Sequence, residues 1–259
     1  MAIPALLLGR GGSVTMPNKN LYPLLGRPMM AYPILAARGC KFVSEVFVST
    51  DSPEIMAVGR RHGARVIVRP PELCTATALG EDAFAHGYRH IRELWRREGK
   101  EIELIVLLFA NSPTVTSRLI EEGVKTLRRN AALDSAVSVS CYNMWSPLRA
   151  RRADADGCLQ PFVPFDTFGD PSKMSCDRDS QGNVYYADMG VSVVRPGCLE
   201  NLHEGLLPQR WMGKKIFPIH NWGGLDVDYE WQIPQAEFWL KRHGYTDAVE
   251  SATPGKQIG

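Results

Sequence analysis

Leu6-Leu7-Leu8-Gly9-Arg10-Gly11-Gly12-Ser13, followed by Met16-Pro17-Asn18-Lys19-Asn20, is the stretch on which the reading of this chain turns. An apolar strand runs into a glycine-rich turn that carries an arginine and then a lysine–asparagine pair. Glycines let successive backbone N–H groups face an anion, and Arg10 and Lys19 add full positive charge to the same turn. Such a turn is a phosphate cradle and implies a nucleotide as ligand. It has neither the G-x-x-x-x-G-K-[ST] of a P-loop nor the G-x-G-x-x-G of a dinucleotide fold.

Outward from this turn, strand and helix patterns alternate. Strands are expected at Ile3–Leu8, Val43–Ser49, Arg65–Val68, Leu104–Phe109 and Ser135–Ser140, the most apolar of them, Leu104–Phe109, at the sheet centre. Helices are expected from about Pro28 to Arg38, with Pro33 bending it or displacing its start, from the Thr50-Asp51-Ser52-Pro53 cap to His62, from Leu79 to Arg97, and from a Thr116 or Ser117 cap to Arg129. The alternation specifies an α/β fold: a three-layer, Rossmann-like, mostly parallel sheet with helices on both faces. The pattern breaks between Cys141 and Tyr185, where proline, glycine, aspartate and arginine are frequent, and this segment reads as a small inserted lobe for substrate selection or a dimer contact. It resumes with a strand at Met189–Val194, a helix opened by Pro196, a strand at Lys215–Ile219 and a helix over Tyr229–His243. The expected organisation is a core of residues 1–140 and 186–245, a lobe of 141–185 and a frayed tail of 246–259.

Composition narrows the function classes. The chain has 259 residues, 44% hydrophobic and 22% charged, with a formal net charge of +2, so no general basic field points to nucleic acid. No apolar run approaches a membrane span, and Ile3–Leu8 is too short for a secretory h-region, so no membrane partner is expected. The six cysteines (Cys40, Cys74, Cys141, Cys158, Cys176 and Cys198) form no C-x-x-C pair, and read as reduced thiols of a cytoplasmic protein. His86 and His90 have ligand spacing on a helix but no acidic or cysteine partner nearby, which favours packing or surface roles.

A second chemical feature, Gly223-Gly224-Leu225-Asp226-Val227-Asp228, precedes the last helix. In extended chain the two carboxylates point the same way, an arrangement that suits Mg²⁺ shared with substrate phosphates. The competing reading is that Asp228 merely caps the helix. Nucleotidyl transfer needs both parts, cations for the leaving pyrophosphate and carboxylates for a metal.

With these segments in view, the chain resembles the acylneuraminate cytidylyltransferases, which join CMP to sialic-acid-like nonulosonic acids. The family's A-R-G-G-S-K-x-x-P-x-K-N is matched by Gly9-Arg10-Gly11-Gly12-Ser13 and Pro17-Asn18-Lys19-Asn20, its V-S-T-D by Val48–Asp51, its R-P-x-E-L by Arg69–Leu73 with Thr77-Ala78 after it, and its late D-x-D by Asp226-Val227-Asp228. The resemblance implies a fold of the nucleotide-diphospho-sugar transferase type, a homodimer, and CTP and an acidic 3-deoxy-2-keto sugar as substrates. It further implies nucleotide contacts from Leu8, Gly9, Arg10, Gly11, Lys19, Asn20, Arg69, Ala78 and the Phe109 position. Catalytic roles fall to Arg10, Lys19, Asp226 and Asp228, the last two holding Mg²⁺.

Three departures from the family pattern bear on the acceptor. Val14 replaces a lysine, Phe109 a glutamine, and Ala187-Asp188-Met189-Gly190 stands where sialic acid enzymes often have R-P-N-G. The acceptor's carboxylate then needs another basic partner, for which Arg149 and Lys173 of the lobe are the candidates, with Asp188 expected to meet a sugar hydroxyl or amine. A nucleotidyltransferase with another acceptor or base, and a catalytically silent nucleotide-binding protein, remain alternatives.

Overall fold

The structure, a computed structural model, describes residues 1–13, 15–75, 77–180 and 182–247. In chain order its elements are β1 (Pro4–Leu8), a small hairpin of β2 (Pro23–Leu24) and β3 (Arg27–Pro28), α1 (Ala31–Gly39), β4 (Glu45–Thr50), α2 (Pro53–Arg61), β5 (Arg65–Val68), α3 (Gly80–Arg97), β6 (Ile105–Phe109), α4 (Ser117–Arg129) and β7 (Ser135–Cys141). They continue with β8 (Arg151–Ala153), β9 (Leu159–Pro161), β10 (Tyr185–Val194), α5 (Pro196–Glu200), β11 (Ile216–His220) and α6 (Ile233–Arg242).

Seven strands form one sheet in the order β11-β7-β10-β6-β1-β4-β5. It is mostly parallel, as expected, and helices cover both faces. Alternate residues of β1 divide between the layers: Ala5 and Leu7 join a cluster with Ile34 of α1, Ile55 of α2 and Ile120 and Val124 of α4. Leu6 and Leu8 face Phe84, Tyr88, Ile91 and Trp95, a single apolar stripe of α3. Each such buried side chain contributes on the order of 1.5–3 kcal/mol.

Strand β10 departs from the parallel pattern, pairing antiparallel with both β6 and β7. It is joined to β7 by the inserted lobe rather than by a crossover helix, so the chain returns beside β7 as an elongated hairpin. The lobe itself holds the β8–β9 hairpin and short 3₁₀ turns, and its β8 residues are all exposed. Pro33 displaces the first helix as the sequence suggested. Helix α1 begins at Ala31, which puts Pro33 in the first turn, where a missing N–H leaves no intrahelical bond unmade. Ser52 and Thr116 cap α2 and α4, accepting from the N–H groups of Ile55 and Leu119. The C-terminal helix is shorter than expected, a 3₁₀ turn at Glu230–Gln232 running into α6. Most of the anticipated tail, residues 248–259, and the Val14 departure lie outside the described residues.

A third apolar cluster decides where the site forms. Met16, Leu24, Leu25, Met29 and Tyr32 pack with Val227, Ala236, Trp239 and Leu240. Met16 belongs to the loop after β1, and Val227 stands between the two aspartates. One cluster thus holds the glycine-rich loop and the aspartate loop together, although about two hundred residues separate them in sequence.

Candidate functional site

Along the chain the sheet grows from β1 to β4 and β5, then resumes on the other side of β1 with β6. The loops leaving the carboxyl ends of β1 and β6 therefore diverge and open a crevice, the usual ligand position in a doubly wound sheet. A cleft of about 390 Å³ lies there, lined by Leu8, Gly9, Arg10, Lys19, Asn20 and Arg69 together with Ala78, Phe109, Asn111 and Asp228. Gly9 is required by this crossing: a Cβ on it would come within 2.9 Å of the Ala110 Cβ.

Positive charge in the cleft comes from three directions. The Arg10 guanidinium donates to the carbonyls of Thr75 (3.0 Å) and Cys74 (3.4 Å), tying the loop after β1 to the segment before α3. Asn20 donates to the Arg10 carbonyl at 3.0 Å and accepts, through its own carbonyl, from the Met30 N–H. Arg69 is buried, held by the Ser49 carbonyl (2.6 Å) and hydroxyl (3.2 Å), and burial pulls its guanidinium below the ordinary value. Gly11 is placed differently from expectation. Its N–H donates to Asp51 at 2.9 Å and it does not line the cleft, because the carboxylate at the end of β4 takes the donor that a phosphate would use.

Lys19 forms an ion pair with Asp228, which also accepts from the Asn111 amide at 3.4 Å. Asp228 does not cap the following turn. That task falls to the Gln232 side chain, which accepts from the N–H groups of Asp228 (2.7 Å) and Tyr229 (2.9 Å). The Asp228 carboxylate, 44% exposed, is left free to face the cleft. Asp226 is half-buried and, unlike Asp228, does not line the cleft. Burial pushes its carboxyl above the usual range, and the Asp228 charge pushes the same way. Among the described residues no side chain donates to the Asp226 carboxylate.

This donor set suits a hard divalent cation. Two carboxylates, one lacking a side-chain partner and the other paired with an ammonium that a cation could displace, are hard oxygen ligands. No group of three or more His, Cys, Asp or Glu that could hold a metal occurs among the described residues, so the remaining ligands would come from substrate oxygens and water.

The acceptor candidates are not gathered here. Arg149 and Lys173 are exposed in the lobe, Lys173 beside Asp170 at 3.4 Å, and neither lines the cleft. Asp188 corrects the expectation of a sugar contact. It is 5% exposed and its oxygens are taken by donors of the protein itself: Ser138, the Gly190 N–H (3.0 Å) and Asn221 (2.9 Å), with the Ser140 hydroxyl, which donates to the Asn221 carbonyl at 2.6 Å, standing 3.1 Å away. Phe109 lines the cleft with its ring against Phe84 (centroids 5.1 Å apart) and Trp211 (6.0 Å), an aromatic wall at the end of β6. His86 is half-buried and His90 exposed on α3. Residues the sequence reading passed over include Asp51, Asn111 and Gln232. Asn111 stands two residues after the Phe109 departure at the end of β6 and was within reach, whereas Asp51 and Gln232 act through contacts that only the fold creates.

In class, this is the fold of the nucleotidyltransferases. A solved structure of CMP:2-keto-3-deoxy-manno-octonic acid synthetase complexed with CTP superposes with a TM-score of 0.65 at 16% identity, over 94% of this chain and 100% of the other. The chain belongs to the cytidylyltransferase family, whose pattern residues 4–144 match. It is 34% identical over 250 residues to N-acylneuraminate cytidylyltransferase A of Danio rerio, covering 94% of this chain and 52% of that protein. A bifunctional pseudaminic acid cytidylyltransferase and sugar-nucleotide hydrolase of Helicobacter pylori is 29% identical over 147 residues, 56% of this chain and 27% of its own length. The chain thus spans about half, or less, of the length of these relatives.

Proposed function

We propose that this protein is a Mg²⁺-dependent cytidylyltransferase that activates a sialic-acid-like 3-deoxy-2-keto acid sugar, giving the CMP-sugar and pyrophosphate. The observation that carries the reading is the meeting of Lys19 and Asp228 in one cleft with Arg10 and Arg69, cation-rich on the side of β1 and anionic on the side of the aspartate loop. CTP lies across the end of β1, with Leu8, Gly9, Asn20 and Arg69 toward the nucleoside and Arg10 and Lys19 toward the triphosphate. The sugar's anomeric hydroxyl attacks the α-phosphorus and pyrophosphate leaves, so the work of the site is positioning and charge neutralisation. Asp226 and Asp228 would hold Mg²⁺, which would supply charge neutralisation for the phosphates and acidify the attacking hydroxyl. Lys19 passes from the Asp228 carboxylate to the phosphate chain as substrate and cation arrive.

The names and folds of the relatives support the cytidylyl and keto-sugar assignments. We further propose a homodimer formed through the lobe and its neighbouring sheet edge, supported by exposed Trp145, Leu159, Phe162 and Tyr185 and by Ile216 and Phe217 of the edge strand β11. A cytoplasmic setting suits the six free thiols, and no described helix is long and apolar enough to cross a membrane. The aromatic wall of Phe109, Phe84 and Trp211 favours, as a second reading, the same chemistry on an acceptor or base with an apolar edge. Pyrophosphate release over a matrix of nucleoside triphosphates and keto-acid sugars, with and without Mg²⁺, tests both. Release with CTP and an anionic keto sugar only when Mg²⁺ is present is expected. Turnover of an uncharged sugar, or equal turnover in EDTA, overturns the acceptor or the metal assignment respectively.

A further inference from the structure

Strand β10 carries a pronounced bulge. Between Ala187, paired with Val139, and Ser192, paired with Val137, the chain takes five steps along β10 against two along β7. Within it Met189 adopts φ +57°, a left-handed conformation that a side chain rarely occupies unless its surroundings enforce it. Bulges beside functional sites commonly re-aim a side chain. Here the re-aimed group is Asp188, turned beneath the sheet surface onto Ser138 and Ser140 of β7.

The carboxyl is then fully engaged. Ser138 accepts from the Val191 N–H at 2.8 Å, so its own hydrogen is directed at Asp188. The Gly190 N–H and the Asn221 amide donate to the two oxygens. Burial pushes the carboxyl upward, and this ring of donors opposes it. Such a buried acid is costly unless it organises something.

What it touches is the backbone that leads to the two aspartates. Asn221, bound to Asp188 through its side chain, also donates to the Thr114 carbonyl at 3.1 Å, and its backbone N–H bonds to Val139. The Gly224 N–H donates to Ser140 Oγ at 2.9 Å, and a Cβ on Gly224 would lie 2.1 Å from Asp188 Oδ2. The loop therefore rests directly on this carboxyl. From that foot the remaining bonds run forward without a gap. The Gly224 carbonyl accepts from Tyr142, Leu225 exchanges two bonds with Thr114, and Val227 exchanges two with Asn111.

We propose that Asp188 is the positioning residue of the Asp226–Asp228 pair, setting the height of the aspartate loop above the sheet and hence the affinity of the pair for a divalent cation. The inference rests on the reading of that pair as the cation holder. Asp188 does not line the cleft. It acts through Asn221 and the Gly224 backbone, which the Ser140 hydroxyl joins to each other.

The test compares wild type with Asp188→Asn, which keeps the shape but opposes two amide groups at Asn221, and with Ser140→Ala, which keeps the carboxyl and removes the hydroxyl that joins the Gly224 N–H to the Asn221 carbonyl. Mn²⁺ binding to the enzyme–CTP complex is measured by the loss of the free-ion EPR signal. Folding is followed by circular dichroism, and CTP affinity in EDTA by calorimetry. Expected are at least a tenfold weakening of Mn²⁺ binding in Asp188→Asn, a smaller weakening in Ser140→Ala, and CTP affinity in EDTA within twofold of wild type in both. If Asp188→Asn does not fold, Ser140→Ala decides. A lowered melting temperature with Mn²⁺ affinity unchanged marks Asp188 as scaffold only and overturns the inference. Wild type that binds no Mn²⁺ in the presence of CTP overturns the cation reading of Asp226 and Asp228 and, with it, this inference.

Discussion

The two loops that face each other across the cleft are built on opposite plans. The aspartate loop, from Asn221 to Asp228, is fastened at nearly every step, by Val139, Ser140, Tyr142, Thr114, Asn111 and Gln232 in turn. Among its described residues the glycine-rich loop after β1 is held at fewer points. Asp51 takes the Gly11 N–H, Arg10 reaches the segment before α3, and Met16 anchors the far end. Gly12 between these anchors is exposed, with nothing within 4 Å of where a Cβ would stand. Carboxylates that hold a cation must be close together before it arrives, since they repel until then, whereas a loop that wraps a phosphate chain gains by adjusting to it. The rigid side of the cleft is thus the anionic side.

The largest expected effect comes from the rigid side. Asp228→Asn removes a charge from the cation pair while leaving the loop's backbone bonds in place, and kcat should fall at least about a hundredfold, comparable to the loss of other electrostatic transition-state contacts. Pyrophosphate release at saturating CTP and Mg²⁺, beside an unchanged circular dichroism spectrum, checks it. Full activity would remove Asp228 from the metal. Asp226→Asn should act in the same direction.

Lys19→Ala follows, with a loss in kcat of about tenfold to a hundredfold, since a charge-assisted contact to phosphate is worth about 1.5–3 kcal/mol. The ion pair gives this variant a second signature. Removing the ammonium frees Asp228, so the Mg²⁺ concentration for half-activation should fall even as kcat falls. A rise in that concentration would show that Lys19 orders the pair rather than competing for it. Arg10→Ala should also lower kcat, but it releases the Cys74–Thr75 segment as well, and a higher KM for CTP should accompany it.

The contrast between the loops also explains what could be read in advance. The β1 turn, a cap in the Thr50–Pro53 turn, another at Thr116 or Ser117 and the strand at Arg65–Val68 follow from local pattern, and the structure puts the caps at Ser52 and Thr116. The glycine-rich loop and the Asp-x-Asp segment were visible for the same reason, because each carries its chemistry in adjacent residues. The direction of β10 was not legible. A strand's sequence does not encode parallel or antiparallel pairing, and the lobe conceals the hairpin that decides it. Asp188 was misassigned because its neighbours in space, Ser138, Ser140 and Asn221, lie tens of residues away and only the bulge turns it toward them. Arg149 and Lys173 were proposed on charge need alone, and charge need does not specify reach.

Gly224→Ala probes the rigidity itself. The new methyl would stand 2.1 Å from Asp188 Oδ2 and 2.2 Å from Asn221 Nδ2, both fixed by other bonds, so the loop must move. Overpacking of this kind costs about 1–3 kcal/mol, which at this chain length lowers the melting temperature by about 2–4 °C per kcal/mol. Because the displaced backbone carries the aspartates, half-activation by Mg²⁺ should require several times more metal, an effect that calorimetric melting and a Mg²⁺ titration of turnover would detect together. A destabilised enzyme with an unaltered Mg²⁺ requirement would show that the loop's fastening serves stability alone.

Gly12→Ala is the matching change on the other side of the cleft, and the smallest. Gly12 has φ +67°, so the methyl is disfavoured by backbone conformation, at roughly 1–2 kcal/mol, but it meets no neighbouring atom. Its cost in stability overlaps that of Gly224→Ala, and melting temperature alone does not separate the two. The separation lies in function. An exposed loop with room around it can relax, so kcat should fall by less than about tenfold, under 1.4 kcal/mol in the barrier, and the Mg²⁺ requirement should stay that of wild type. The same kinetic titrations measure both variants. If Gly12→Ala shifts the Mg²⁺ requirement as far as Gly224→Ala does, the two loops move as one body through their shared Met16–Val227 cluster, and the division into a fixed anionic wall and an adaptable cationic one is wrong.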